Sequence, residues 1–175
     1  MLRTYVHKQR IGPWGLVARV TLDVHSVDRP PSEARGIDGS CVWWLPPHGL
    51  SPAGERWMAF GLKLVAGQLE SLSAGAGAVL VRVDDWDVPM LTDYQDEVAA
   101  AALIECLQRN YDIPGIDIGL SFDREAEPVR VHLERGAGRA GPGVTRAPCG
   151  SGRNGAIGRM VIDRPRLGCR HHLPT

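Results

Sequence analysis

The sequence predicts an α+β domain, a two-layer β-β-α-β-α-β-β sandwich with two helices on one face of a mixed sheet, followed by a disordered C-terminal tail. Three observations predict it. A two-residue alternation of apolar and polar side chains runs through residues 16–27. Two stretches of helical periodicity lie between strand-like segments. Composition and charge then change abruptly near residue 135. Residues 1–135 hold 13 basic and 19 acidic groups, a net of −6, whereas residues 136–175 hold seven arginines and one acid, a net of +6.

Leu16, Ala18, Val20, Leu22 and Val24 fall on one side of the first clear strand, and Arg19, Thr21, Asp23 and His25 on the other. That pattern belongs to a strand with one buried face. Residues 26–39 are rich in proline, glycine and charge and read as a loop. Residues 40–45 form a second strand closed by Pro46-Pro47. Ser51 is a good N-cap and Pro52 suits the first helical position. Met58, Leu62, Val65, Leu69 and Leu72 then recur at helical spacing, widened by Trp57, Phe60 and Leu64. The run Ala74-Gly75-Ala76-Gly77 is expected to end that helix with a left-handed glycine. A third strand spans 78–88, with Val79, Val81 and Val83 on one side and Leu80, Arg82, Asp84 and Trp86 on the other. Thr92-Asp93-Tyr94-Gln95 matches a capping box for the second helix. Ala100, Leu103, Ile104, Leu107 and Tyr111 supply its buried stripe, and Asp112 to Gly115 stops it. Two more strands follow, around Ile116 to Phe122 and Val129 to Leu133, joined by a polar turn. Helices between strands predict that some strands run parallel.

The tail holds nine of the 21 glycines and shows no useful periodicity. Such a stretch buries too little apolar surface to offset its ordering entropy. Eighteen of the 20 basic residues are arginine, the exceptions being Lys8 and Lys63. That bias fits GC-rich coding without invoking phosphate recognition. No apolar run approaches the roughly 20 residues a membrane helix needs, so no membrane partner is expected. The opening, Met1 to Lys8, lacks an apolar segment of signal-peptide length, and a cytoplasmic location is the expectation. Cys41 and Cys106 sit in apolar runs and read as small buried hydrophobes.

Part of the chain, residues 4–110, resembles the fourth domain of elongation factor G, a fold shared with the second domain of ribosomal protein S5. The resemblance is carried by the basic opening Tyr5-Val6-His7-Lys8-Gln9-Arg10-Ile11 with its loop Gly12-Pro13-Trp14-Gly15. It continues in Ser51-Pro52 before the first helix, in Val79, Val81 and Val83, and in Asp87, Glu97 and Ala99. It implies that fold and a ribosome- or RNA-associated role. Leu91 stands where that family's tip loop normally carries a histidine, and no G-x-x-x-x-G-K-[ST] run is present. The net charge of −6 on residues 1–135 also disfavours a phosphate-rich partner.

No catalytic signature is present: there is no G-x-S-x-G, and no cofactor is expected. Asp84, Asp85, Asp87, Asp93 and Asp96 crowd one strand end and the next helix start. They offer hard oxygen ligands for a divalent cation, but without a D-x-D-x-D-G loop they also read as a solvated loop and ordinary helix-start acids. Cys149, Cys169, His171 and His172 match no standard zinc spacing. Either His25 or His132 is placed to meet an aspartate across the sheet.

Five tryptophans are many for this length. Adjacent positions on a strand face opposite ways, so one of Trp43 and Trp44 points outward; Trp44 is the candidate, with Trp14 and Trp86 after it. Exposed aromatics concentrate interface energy. The leading expectation is a non-enzymatic interaction domain with a protein partner. It would bind through the open sheet face or through two loops, Gln9–Gly15 and Asp84–Tyr94, with Gln9, Arg10, Asp84, Asp87 and Tyr94 as contact residues. The alternatives are a small hydrolase or metal-dependent enzyme using Asp84, Asp85, Asp87 and a histidine, an RNA- or ribosome-associated factor with backbone contacts from the arginine-rich tail, and an immunity- or antitoxin-like protein.

Overall fold

The protein is described from a computed structural model over residues 1–11, 14–73, 77–89, 94–111, 113, 118–123 and 130–135. The 136–175 tail lies outside the described residues. The elements are β1 (Arg3–Ile11), β2 (Trp14–Val27), β3 (Arg35–Gly36), β4 (Val42–Leu45), α1 (Pro52–Glu70), β5 (Ala78–Asp87), α2 (Gln95–Asn110), β6 (Ile118–Asp123) and β7 (Arg130–Arg135). Five strands form a mixed sheet in the order β1-β2-β5-β4-β3. Among the described strands only β4 and β5 run parallel, joined through α1.

The alternation in β2 behaves as its pattern dictates. Leu16, Ala18, Val20 and Leu22 are fully buried beneath the helices. β5 pairs antiparallel with β2, placing Val83 opposite Leu22 and Val81 opposite Val24. The register then slips between Thr21 and Leu22, because Asp84 is an extra residue on β5. A bulge of one residue reverses strand parity beyond it. Trp86 therefore pairs with Val20 and packs on the core, while Asp85 and Asp87 pair with Thr21 and Arg19 on the other face. Uninterrupted alternation would have sent Trp86 outward with Leu80 and Arg82.

Ser51 caps α1 as its sequence predicts: its Oγ accepts the Gly54 N–H at 2.9 Å, and Pro52 opens the helix. The helix ends earlier than expected, at Glu70. Ser71 is the C-cap in right-handed conformation and opens a single 3-10 turn, Ser71–Ser73; Ala74, Gly75 and Ala76 of the expected terminating run lie outside the described residues. α2 begins one residue after Tyr94, which adopts a left-handed conformation (φ 54°) and makes no side-chain capping bond. The capping box expected from Thr92 is thus not the start of this helix, and Thr92 and Asp93 lie outside the described residues.

The helices pack closely because small residues line their contact. A Cβ on Gly61 would stand 3.1 Å from Ile104, and Ala99, Ala100 and Ala102 are fully buried. Trp57, Met58, Leu62, Val65 and Leu69 of α1 and Leu103, Ile104 and Leu107 of α2 complete the core with Val42 and Trp44 of β4. Each such side chain contributes roughly 1.5–3 kcal/mol on burial.

Three strands differ from expectation in their place. β1, read from sequence as a basic stretch before a loop, is a nine-residue strand pairing with β2 from Arg3–Leu22 to Ile11–Trp14. β6 and β7 pair with each other in a separate two-stranded sheet beside α2 and do not extend the main sheet. Among the described residues no helix is long and apolar enough to cross a membrane.

Candidate functional site

With both helices on one side, the five-stranded sheet presents its other face to solvent. Register fixes its occupants. Thr4, Val6, Lys8 and Arg10 of β1 lie beside Val17, Arg19 and Thr21 of β2, and Asp85 and Asp87 of β5 follow. Thr4 and Thr21 hydroxyls are hydrogen-bonded at 2.9 Å. Arg19 reaches Asp85 at 3.4 Å and Asp87 at 3.5 Å, all three roughly half exposed. Farther along, His25 lies 3.8 Å from Asp23. The Asp23 carboxyl is held below its usual range, first by a hydrogen bond from the chain's amino group at 2.5 Å. Trp43 and Leu45 of β4 are half-buried on this face.

A cleft of about 640 Å³ opens at the carboxyl ends of the parallel pair β4 and β5. Its walls come from the turn after β4 (Pro46 to Leu50), the first turn of α1, β3 with the chain before it, and β5 at its bulge. In open sheets this end of parallel strands is where ligands settle. Four of its charged groups form two pairs: Arg35 donates to Glu55 in a close ion pair, and Arg82 stands 3.9 Å from Asp84. His48 and Glu33 complete the titratable groups of its wall. Glu55 also sits at the positive end of the α1 dipole.

A third constellation lies where β1 meets α2 on the helix side of the sheet. His7, 5% exposed, bonds through Nδ1 to Glu105 Oε2 at 2.9 Å. Its Nε2 is buried and has no hydrogen-bond partner among the described residues. Burial pushes the Glu105 carboxyl up, but hydrogen bonds from His7 and Tyr5 outweigh it and hold the group below its ordinary value. Arg109 stacks over the Tyr5 ring at 5.3 Å. Burial, then Glu105, pushes the Tyr5 hydroxyl up. Nearby, Cys106 is fully buried, its thiol pushed to about 11 by desolvation. The Tyr111 hydroxyl, pushed to about 12 by burial, donates to the Leu22 and Met1 carbonyls.

Several sequence-predicted contact residues occupy other places. Trp44 is only 2% exposed and belongs to the core, because its parity on β4 matches Val81; Trp43 is its outward neighbour and covers Gly36. Trp86 is turned inward by the bulge. Gln9 and Arg10 are exposed but lie in strand β1, not in a loop. Trp14 opens β2, and its side chain lies outside the described residues. Tyr94 is half-buried against the core. Asp84 and Asp87 are exposed, as expected, but within strand β5.

The described aspartates do not converge on one point. Asp84 faces Arg82 at the cleft, Asp85 and Asp87 face Arg19, and Asp96 accepts from Ser51 Oγ at 3.2 Å. No group of three metal-ligating side chains forms among the described residues. Asp93, Cys149, Cys169, His171, His172 and the His132 side chain lie outside them. The Tyr5–His7–Glu105–Arg109 cluster was missed in sequence. Its only signal is Glu105 and Arg109 four apart on a helix, and Tyr5 and His7 two apart on a strand. Comparison with protein-family models and with curated proteins finds no match.

Proposed function

We propose that this domain is a non-enzymatic binding module that engages a protein partner through the open face of its sheet. One observation carries the reading: both helices cover the same face, and the opposite face mixes exposed or half-exposed apolar groups (Val6, Val17, Trp43, Leu45) with an ordered charge array centred on Arg19. Apolar groups rimmed by polar ones are the composition of interaction surfaces. The element order β1-β2-β3-β4-α1-β5-α2, in which β3 is only two residues long, supports kinship with the elongation factor G domain IV-like fold, and a translation-associated partner is the form that kinship would take. A photo-crosslinking residue at Thr21, on the open face, is expected to capture the partner in host cells, while one at Lys63, exposed on α1, is not. Equal capture at both positions, or none at Thr21, would end this reading.

The cleft favours a second reading, a small enzyme or small-ligand site holding Asp84, Glu55 and His48. Turnover or ligand binding lost in Asp84→Asn, with an unchanged melting temperature, would establish it.

A further inference from the structure

We infer that the outer edge of β1 accepts an extended acidic peptide as a sixth strand of the sheet. The inference rests on the binding-module reading and names the partner's chemistry.

β1 ends the strand order, and among the described residues no strand pairs with its outer side. It runs nine residues without proline. The opposite edge, β3, is two residues long and too short to template anything. A long edge presents unpaired N–H and C=O groups to any chain able to extend beside it. Natural edges are usually short or guarded, and this one is guarded unevenly. Lys8 and Arg10 hold one end. At the other, Met1 (82% exposed), Leu2 (43%) and Val6 (41%) are the large exposed hydrophobics of the described residues. All three therefore fall on β1 or immediately before it.

Charge selects the occupant. β1 carries Arg3, Lys8 and Arg10 and no acid. Leu2, Thr4, Val6, Lys8 and Arg10 alternate onto the open face. A strand docked alongside would place apolar groups next to Leu2 and Val6 and carboxylates next to Lys8 and Arg10. Directly opposed pairs of that kind stabilise sheets, and like charges oppose them. A second copy of β1 would bring three more cations onto the adjacent strand, and the arginine-rich 136–175 segment repels for the same reason. An acidic segment that carries on one strand face carboxylates at one end and apolar groups at the other satisfies both halves of the edge.

The test uses the full chain and a synthetic nine-residue peptide to lie antiparallel to β1, with glutamate at its first and third positions, valine at its fifth and ninth, threonine at its seventh and serine between, so that one strand face meets Arg10, Lys8, Val6, Thr4 and Leu2 in turn; the same peptide with lysine for glutamate is the control. The acidic peptide is expected to bind saturably and to slow hydrogen exchange of β1 backbone amides. Its affinity should fall about tenfold or more between low salt and about 0.5 M salt. The double variant Lys8→Glu/Arg10→Glu, folded by its melting temperature, should reverse the preference to the lysine peptide. Val6→Pro should abolish binding by removing one edge donor; should it unfold, the charge-reversal pair decides. Protection outside β1, or unchanged preference in the double variant, overturns the inference. So does a dimer in sedimentation whose β1 amides are already protected without peptide, or displacement of the peptide by a single-stranded oligonucleotide at the same amides. Failure to bind while Thr21 crosslinks persist removes this inference alone; loss of both removes the binding-module reading as well.

Discussion

Trp44 and Trp43 differ by one position and in nearly everything else. Trp44 fills the space among β4, β5 and the helices, so truncating it opens a large cavity. Trp44→Ala is expected to cost about 3–5 kcal/mol in denaturant unfolding. Trp43→Ala removes a half-buried ring from the open face and should cost markedly less. A similar cost for both would contradict their assigned faces. Glu105 makes a pH-dependent contribution. Its carboxyl is held below the ordinary value of 4.5, so its stabilisation is present above that pH and fades as pH falls through the folded value. The stability difference between the wild type and Glu105→Gln should therefore be widest above about pH 4.5 and close below it. A difference that grows with acidification would contradict the His7–Glu105 geometry.

At the scale of elements, β1 and β5 show why periodicity reads some strands and not others. β1 is silent because its inward positions are Arg3, Tyr5, His7 and Gln9. These polar groups are tolerated there because they meet the polar end of α2, where Glu105 and Arg109 receive Tyr5 and His7. A strand whose inner face is polar leaves no apolar alternation to detect. β5 is legible up to Val83 and then misleads, because the bulge at Asp84 is a pairing property that no local pattern displays. It also yields a counterintuitive expectation. Deleting Asp84 would leave Val83, Asp85, Trp86 and Asp87 in regular alternation with Trp86 still inward. The deletion should cost less than about 2 kcal/mol and leave the tryptophan emission maximum unshifted. A red shift would mean that Trp86 had turned outward. The two helices, by contrast, were legible in their apolar stripes and in the Ser51-Pro52 start; only their ends moved, since ends depend on the last few hydrogen bonds.

The whole molecule joins an acidic part to a basic one, −6 against +6. A chain cut after residue 135 should behave as an acidic protein on ion exchange, unlike the intact chain with its isoelectric point near 7.0. From the composition of residues 136–175, the cut should lower the melting temperature by no more than a few degrees. A large drop would show that this segment packs on the domain.

Composition and periodicity alone determined the α+β class, the strand at 16–27, both helices and the charge reversal near residue 135. These follow from short-range regularities: one buried face per element and the side-chain repeat that goes with it. Only the tertiary structure decided that β1 is an edge strand, that β4 and β5 run parallel, that Trp44 lies inside and Trp43 outside, and that Asp84 and Asp96 part from the Asp85–Asp87 pair. Each of these depends on which distant segment a residue is paired with, and one inserted residue at Asp84 is enough to exchange the two faces of the sheet.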